Sequence, residues 1–327
     1  MPAYDLIGDI HGQADALLEL LHRLGYRLVS GRHRHPDGRR AVFLGDFIDR
    51  GPRSRRVLEI VRAMIDAGEA LAVMGNHEFN ALLFHTTDPG TGQPLRAHTL
   101  RHVRQHDAFL REYRDDPAAL AEAVAWFRTL PLLLDLGPEG PRVVHACWDA
   151  EAVAWLQRQP WHPAGEPLPE AFLAAAARPG TREHAVAERL LKGPEIPLPD
   201  GLRCRSRDGN VRRHARVNWW DAALPDGPER LLLPEQECRR AVAAAERFPD
   251  LSAVPPYPPD AAPVFFGHYW RRIGEPVMGP NWACLDWSAA AERGGHLACY
   301  RWEPDQPGRP LDRRRAVSVP VPPRSGL

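Results

Sequence analysis

The chain has 327 residues, as many basic as acidic side chains, zero formal net charge, 44% hydrophobic and 26% charged content. That balance fits a globular chain long enough for a full core and excludes the basic footprint of a general nucleic-acid binder. No apolar run approaches the roughly 20 residues of a membrane helix, and Met1 leads straight into an apolar strand, so neither export signal nor anchor is expected and the cytoplasm is the default location.

Tyr4–Ile7 reads as a strand, followed by a helix near Ala14–Leu24 that Gly25 stops, and by a second strand at Ala41–Leu44. Pro52 and Ser54 open another helix through about Ala67, and Ala70–Met74 is the next strand. The first eighty residues therefore read β-α-β-α-β, the pattern of an α/β sheet with crossover helices. Residues 86–130 break it with a turn at Thr86–Gly92 and helices near His98–Arg111 and Pro117–Arg128, a helical insertion. A longer excursion holds helices near Glu151–Arg158, Glu170–Ala177, Arg182–Leu191 and Glu235–Phe248, separated by Pro- and Gly-rich joints. Excursions of that length beside a site are disproportionately lids or specificity elements. The expected division is a core of residues 1–149 and 263–327 and an insertion, or cap subdomain, of residues 150–262. Val254-Pro-Pro-Tyr-Pro-Pro259 is a stiff link back to the core. Trp282–Asp286, Leu297–Trp302 and Val317–Val321 read as closing strands.

Five segments each follow an apolar run: Gly8-Asp9-Ile10-His11-Gly12, Gly45-Asp46-Phe47-Ile48-Asp49-Arg50-Gly51, Gly75-Asn76-His77-Glu78, His145 and Gly267-His268. One such block alone could be an ordinary turn with an Asp cap; five in this order point to a common site. Two divalent ions roughly 3.5–4 Å apart can clamp a phosphate, lower the pKa of a bridging water and present hydroxide in line. Carboxylate, imidazole and amide oxygen are the ligands such ions take. Asp9 and His11, two residues apart in extended chain, face alike and would grip one ion. Asp46 is the candidate to bridge both, and Asn76, His145 and His268 would complete the second shell. His77 is the candidate proton donor for the leaving oxygen, Asp49 would hold its imidazole, and the planar fork of Arg50 suits a phosphate. His33, His35, His98, His102 and His106 lack the strand-then-ligand context and read as surface residues.

The blocks GDIHG, GDFIDRG and GNHE resemble the signatures of the calcineurin-like metallophosphoesterases, in the branch that holds PPP-type serine/threonine phosphatases and bacterial symmetrical diadenosine tetraphosphatases. The resemblance implies an αββα sandwich with helical insertions, the closing strands belonging to its second sheet. It implies Asp9, His11, Asp46, Asn76, His145 and His268 as metal ligands, and Asp49, Arg50 and His77 in substrate and proton roles. The chain departs from the pattern at Ala146-Cys147-Trp148-Asp149 and at Tyr269-Trp270, where aromatic residues either narrow the substrate mouth or pack. No second phosphate-gripping arginine matches.

In the insertion, Arg212 and Arg216 with Trp219-Trp220 combine cations with aromatic faces. They could hold a distal phosphate and stack on a base, or form a solvated basic loop over buried tryptophans. Lys192 is the only lysine; the arginine bias reads as base composition. Five scattered cysteines, odd in number, favour reduced thiols over a disulfide framework. The expected activity is that of a two-metal phosphohydrolase, with Mn²⁺ or an Fe/Zn-type pair. Its substrate would be a phosphoprotein or small phosphomonoester; the alternative is a dinucleoside polyphosphate such as diadenosine tetraphosphate, cleaved symmetrically. A catalytically inactive metal-binding scaffold is the reading from another class, disfavoured by His77, Asp49 and Arg50, which a mere metal site does not need.

Overall fold

The computed structural model describes residues 2–162, 166–205, 211–233, 236–245, 247–271, 277–292, 294–303, 305 and 308–323. The chain runs through β1 (Tyr4–Ile7), α1 (Ala14–Leu24), β2 (Arg27–Val29), β3 (Arg32–Arg34), β4 (Arg40–Phe43), α2 (Ser54–Asp66), β5 (Ala70–Ala72) and α3 (Asn76–His85). Next come α4 (Leu100–Glu112), α5 (Pro117–Phe127), β6 (Leu133–Asp135), β7 (Arg142–Val144), α6 (Ala150–Gln157), α7 (Glu170–Ala176) and α8 (Arg182–Lys192). Then follow β8 (Glu195–Pro197), β9 (Cys204–Arg205), β10 (Val211–Arg212), β11 (His214–Val217), β12 (Leu231–Leu232) and α9 (Gln236–Ala243). The chain closes with β13 (Val264–Phe266), β14 (Trp282–Cys284), β15 (Gly295–Trp302) and β16 (Ala316–Val321).

Two compact units are distinguished, Met1–Leu191 with Ala262–Leu327, and Lys192–Ala261. The first therefore keeps α6, α7 and nearly all of α8, which the sequence reading assigns to the insertion. It contains two sheets, ordered β16-β15-β1-β4-β5 and β14-β13-β7-β6. Parallel pairs β1–β4, β4–β5, β13–β7 and β13–β14 form the middle of each. The sheets share one core: Tyr4, Leu6, Val42, Leu44 and Val73 from the first meet Val143, Phe265, Ala283 and Leu285 from the second, with Tyr300 and Trp302. This is the α/β sandwich expected. Strand alternation explains the division of faces, since Leu6 enters that core whereas Asp5 points to the other side of the sheet. There Asp5, fully buried, takes Arg39 Nη2 at 2.8 Å, while the same guanidinium reaches Tyr4 O, Trp302 O and Glu303 and staples β1 to β15.

One sheet assignment is corrected. The strands β15 and β16 extend the first sheet, with β15 antiparallel to β1, and only β14 closes the second. Apolar alternation shows a strand but not its neighbour, and β1 had a free edge to fill.

The Lys192–Ala261 unit is richer in strands than its turn-like sequence suggests. The segment read as a basic loop forms β10 and β11, in which Ala215 and Val217 are buried and Arg216 is half-buried. The sheet order is β12-β11-β8. Trp219 and Trp220 are buried, meeting edge to face at 5.8 Å, and Tyr257 packs on Trp219. Arg230, almost fully buried, donates to Asn218 O and Val254 O and so ties in the proline-rich link. A disulfide joins Cys204 to Cys238, which corrects the expectation of five thiols; Cys147, Cys284 and Cys299 are free and buried.

Candidate metal centre

Each expected ligand follows the C-terminal end of a strand: Asp9 and His11 after β1, Asp46 after β4, Asn76 after β5, His145 after β7 and His268 after β13. The two sheets bring these strand ends together because both run parallel strands toward the same edge of the sandwich. Ligand atoms of His11, Asp46 and His77 lie within 4.8 Å of one another, and so do those of Asp46, His145 and His268. Asp46 is common to both groups. The first group holds His77 where the sequence reading has Asp9.

Asp9 is buried; its Oδ2 accepts the His268 N–H at 3.0 Å, while Oδ1 has no hydrogen-bond partner among the described residues. A Cβ at position 267 would fall on that Oδ1, so only glycine leaves the cradle open. His11 donates from Nδ1 to Ile48 O at 3.0 Å, which leaves the lone pair on Nε2, a buried atom 3.4 Å from Asp46 Oδ2. Burial takes His11 down to about 3, so the imidazole is neutral, as a ligand must be. His145 likewise donates from Nδ1 to Leu44 O and turns Nε2 to Asn76 Oδ1 at 3.1 Å and Asp46 Oδ1 at 3.5 Å. His268 Nδ1 lies 2.7 Å from the same Asn76 oxygen.

The electrostatics fit a cation. Burial, then Asp286 and Asp46, push the Asp9 carboxyl well above the usual range, because buried carboxylates crowd one another. Burial would raise Asp46 as well, but His145, His77 and His11 hold it down to about 2. Buried carboxylates in excess, an orphaned Asp9 oxygen and an aimed His11 nitrogen form a donor set suited to divalent cations.

Beside the cluster, His77 Nδ1 and Asp49 Oδ2 are 2.6 Å apart. Burial alone would lower His77, but Asp46 and Asp49 raise it, so the protonated form is favoured. Arg50 stacks its guanidinium 4.3 Å from the Trp270 ring centroid. Trp148 and Tyr269 are buried and act as packing, whereas Trp270 is half-exposed. Arg212 and Arg216 lie in the other unit, each within 4 Å of Glu195.

Sequence reasoning missed three supports. Glu78, quoted only as the end of a motif, is fully buried and accepts from Gly75, Asp46, Phe47 and Ile48 N–H groups. Asp286, also buried, accepts from Trp270 N and Ser288 N and so fixes the turn after His268. His106, read as a surface residue, is 5% exposed and bonds Asp49 Oδ1 at 2.8 Å. His35 is a second such correction: it is buried and donates from Nε2 to Leu24 O at the end of α1. In both, a helix or turn places the imidazole inward, a placement that local polarity does not reveal.

With this geometry in view, residues 4–151 match the family model of the calcineurin-like phosphoesterases. Two bis(5'-nucleosyl)-tetraphosphatases PrpE, named asymmetrical, are similar to part of the chain. That of Halalkalibacterium halodurans is 47% identical over 74 residues, 23% of this chain and 30% of its own length. That of Bacillus subtilis is 44% identical over 75 residues, 23% and 31% respectively. The chain thus spans less than a third of these relatives. A protein serine/threonine phosphatase structure from Saccharomyces cerevisiae covers all of this chain and 81% of its own at 15% identity, with a TM-score of 0.48.

Proposed function

We propose that the chain is a two-metal phosphohydrolase acting on phosphate esters or phosphoanhydrides. The observation that supports this best is the sharing of Asp46 between two donor clusters beside a His77–Asp49 pair. Asp9, His11, Asp46, Asn76, His145 and His268 would hold the ions, with Mn²⁺ the first choice and an Fe/Zn pair the second. Such a pair supplies Lewis acidity and an activated water when bound. The remaining work falls to side chains. Arg50, steadied on Trp270, orients a phosphoryl oxygen. His77, with Nδ1 anchored on Asp49, delivers a proton from Nε2 to the leaving oxygen. Arg212 and Arg216 are proposed as more distant substrate contacts, and the region of residues 150–262 as a specificity element.

A phosphoprotein or small phosphomonoester is the substrate we favour. The alternative, a dinucleoside tetraphosphate, is favoured by the relatives' names. Mn²⁺-loaded protein incubated with p-nitrophenyl phosphate, a phosphoserine peptide and diadenosine tetraphosphate separates them by product. Free phosphate marks the first, two ADP a symmetrical cut of the second, and ATP plus AMP an asymmetrical one. A protein that holds two metals yet leaves all three intact is the inactive scaffold. The cytoplasm is the proposed location on the strength of three free thiols. A Cys204–Cys238 disulfide that persists in extracts alkylated at lysis counts against it.

A further inference from the structure

Asp49 does not serve His77 alone. Its Oδ2 takes His77 Nδ1 at 2.6 Å while its Oδ1 takes Nδ1 of His106, from α4 in the helical insertion, at 2.8 Å. His85 Nε2, at the end of α3, then meets His106 Nε2 at 3.3 Å. The tautomers follow in sequence. An ionised carboxylate only accepts, so both His77 and His106 carry their proton on Nδ1. His106 Nε2 and His85 Nε2 then face each other as one donor and one acceptor. The His106 ring cannot swing away, because Phe109 stacks on it at 4.8 Å with 23° between planes and Phe84 meets it edge-on at 5.4 Å. Asp49 itself sits at φ +67°, a conformation an aspartate keeps only where its surroundings over-determine it.

We infer that His106 is a positioning residue: it clamps the second oxygen of Asp49 and, through it, fixes the direction in which His77 Nε2 presents its proton. The inference rests on the proton-donor role proposed above for His77. A carboxylate bonded on one oxygen only can rotate about its χ2, whereas one bonded on both cannot, and proton delivery depends on alignment. The insertion of residues 86–130 thereby contributes to the chemistry without touching substrate.

The test compares His106→Leu, which removes the donor, with His106→Asn, whose amide can replace Nδ1. The first readout requires no turnover: the low-field N–H resonance of His77 Nδ1, identified by its loss in His77→Phe. It should broaden or shift in His106→Leu and remain in His106→Asn. The second is leaving-group dependence in the Mn²⁺-loaded protein. A donor matters most when the leaving oxygen is basic, so His106→Leu should lose about tenfold in kcat on phenyl phosphate, a fraction of the 10²–10⁴ a general acid supplies. It should lose far less on 2,4-dinitrophenyl phosphate, with KM unchanged, and His106→Asn should restore most of the rate. An unaltered His77 resonance, or equal losses on both esters, overturns the inference. If wild type turns over neither ester but the resonance still responds to His106→Leu, the phosphohydrolase reading fails and the clamp stands.

Discussion

Glu78→Gln isolates the contribution of the buried carboxylate that organises the Asp46 loop. Oε2 accepts from Asp46 N at 2.9 Å and Gly75 N at 3.0 Å, and Oε1 from Phe47 N at 2.8 Å and Ile48 N at 3.3 Å. Burial and Asp46 push the Glu78 carboxyl up to about 7, while His77 and the N–H donors pull the other way. Geometry decides the issue: four donors and no acceptor face it, so the ionised form is the one the loop is built around. However a glutamine amide is turned, its NH₂ replaces one oxygen and confronts two N–H groups. Two buried donors without partners at about 1–3 kcal/mol each cost roughly 2–6 kcal/mol. The loop they hold carries Asp46, so affinity for metal should fall as well, by the 10–100-fold typical of lost outer-shell bonds. Urea denaturation with a metal titration followed by elemental analysis measures both. A variant within about 0.5 kcal/mol of wild type with full metal content would show that Glu78 is neutral in place and refute the reasoning.

Asp46→Asn and His11→Ala should abolish turnover, whereas His77→Asn should keep its metal and lose about 10²–10⁴ in kcat; metal analysis alongside kinetics checks this, and full activity in either ligand variant contradicts the assignment. Burial and the neighbouring His106 and His98 take His85 down to about 4, below the ordinary 6.5. The unfolded chain then binds the extra proton first, so this residue costs the fold stability as pH falls from 6.5 through 4. With His85 partly solvated, the loss should be about 1–2 kcal/mol. His85→Gln, which keeps a donor toward His106, should remove that share of the acid dependence in melting curves from pH 7 to 4; an unchanged slope excludes His85 as a source. Arg39→Met leaves the fully buried Asp5 with Arg301, at 3.2 Å, as its remaining guanidinium partner among the described residues and should cost about 3–5 kcal/mol in urea. A loss under about 1 kcal/mol would mean that Arg301 compensates.

The parts of the site legible in sequence were those tied to local chain order. A strand that ends in Gly-Asp or Gly-Asn-His announces both an element and the side chain that leaves it, and Asp9, Asp46, Asn76, His145 and His268 all obey that pattern. The helix α1 was readable to its ends because its apolar spacing stops at Gly25, which adopts φ +103°. Long-range pairing was not readable. β15 could join either sheet on its own alternation, Cys204 and Cys238 are 34 residues apart with nothing local to couple them, and β11 is too short to stand out from its arginines. Buried polar supports were hidden for a related reason. Apart from Gly75, three residues from Glu78, the residues that Glu78 accepts from and the Asp49 that His106 bonds lie 30 to 57 residues away, so the sequence neighbourhood carries little sign of burial.

The backbone at the site explains why those supports must exist. His11, Asp46, Asp49, Arg50, His268 and Trp270 all hold positive φ, between +45° and +68°. Such conformations cost on the order of 1 kcal/mol each for residues with a Cβ, and they turn the chain back sharply enough to aim neighbouring side chains at one point. Three of these positions are matched by a buried carboxylate that takes their N–H groups: Glu78 for Asp46 and its followers to Ile48, Asp9 for His268, Asp286 for Trp270. The acceptors are carboxylates, the acceptor type that binds N–H donors most strongly, and they also add negative charge where cations are to be held. Strain relief and cation affinity are thus supplied by the same groups. Substitutions at these three acceptors should therefore lower fold stability and metal binding together, whereas substitutions at His77 or Arg50, which hold no loop, should separate the two.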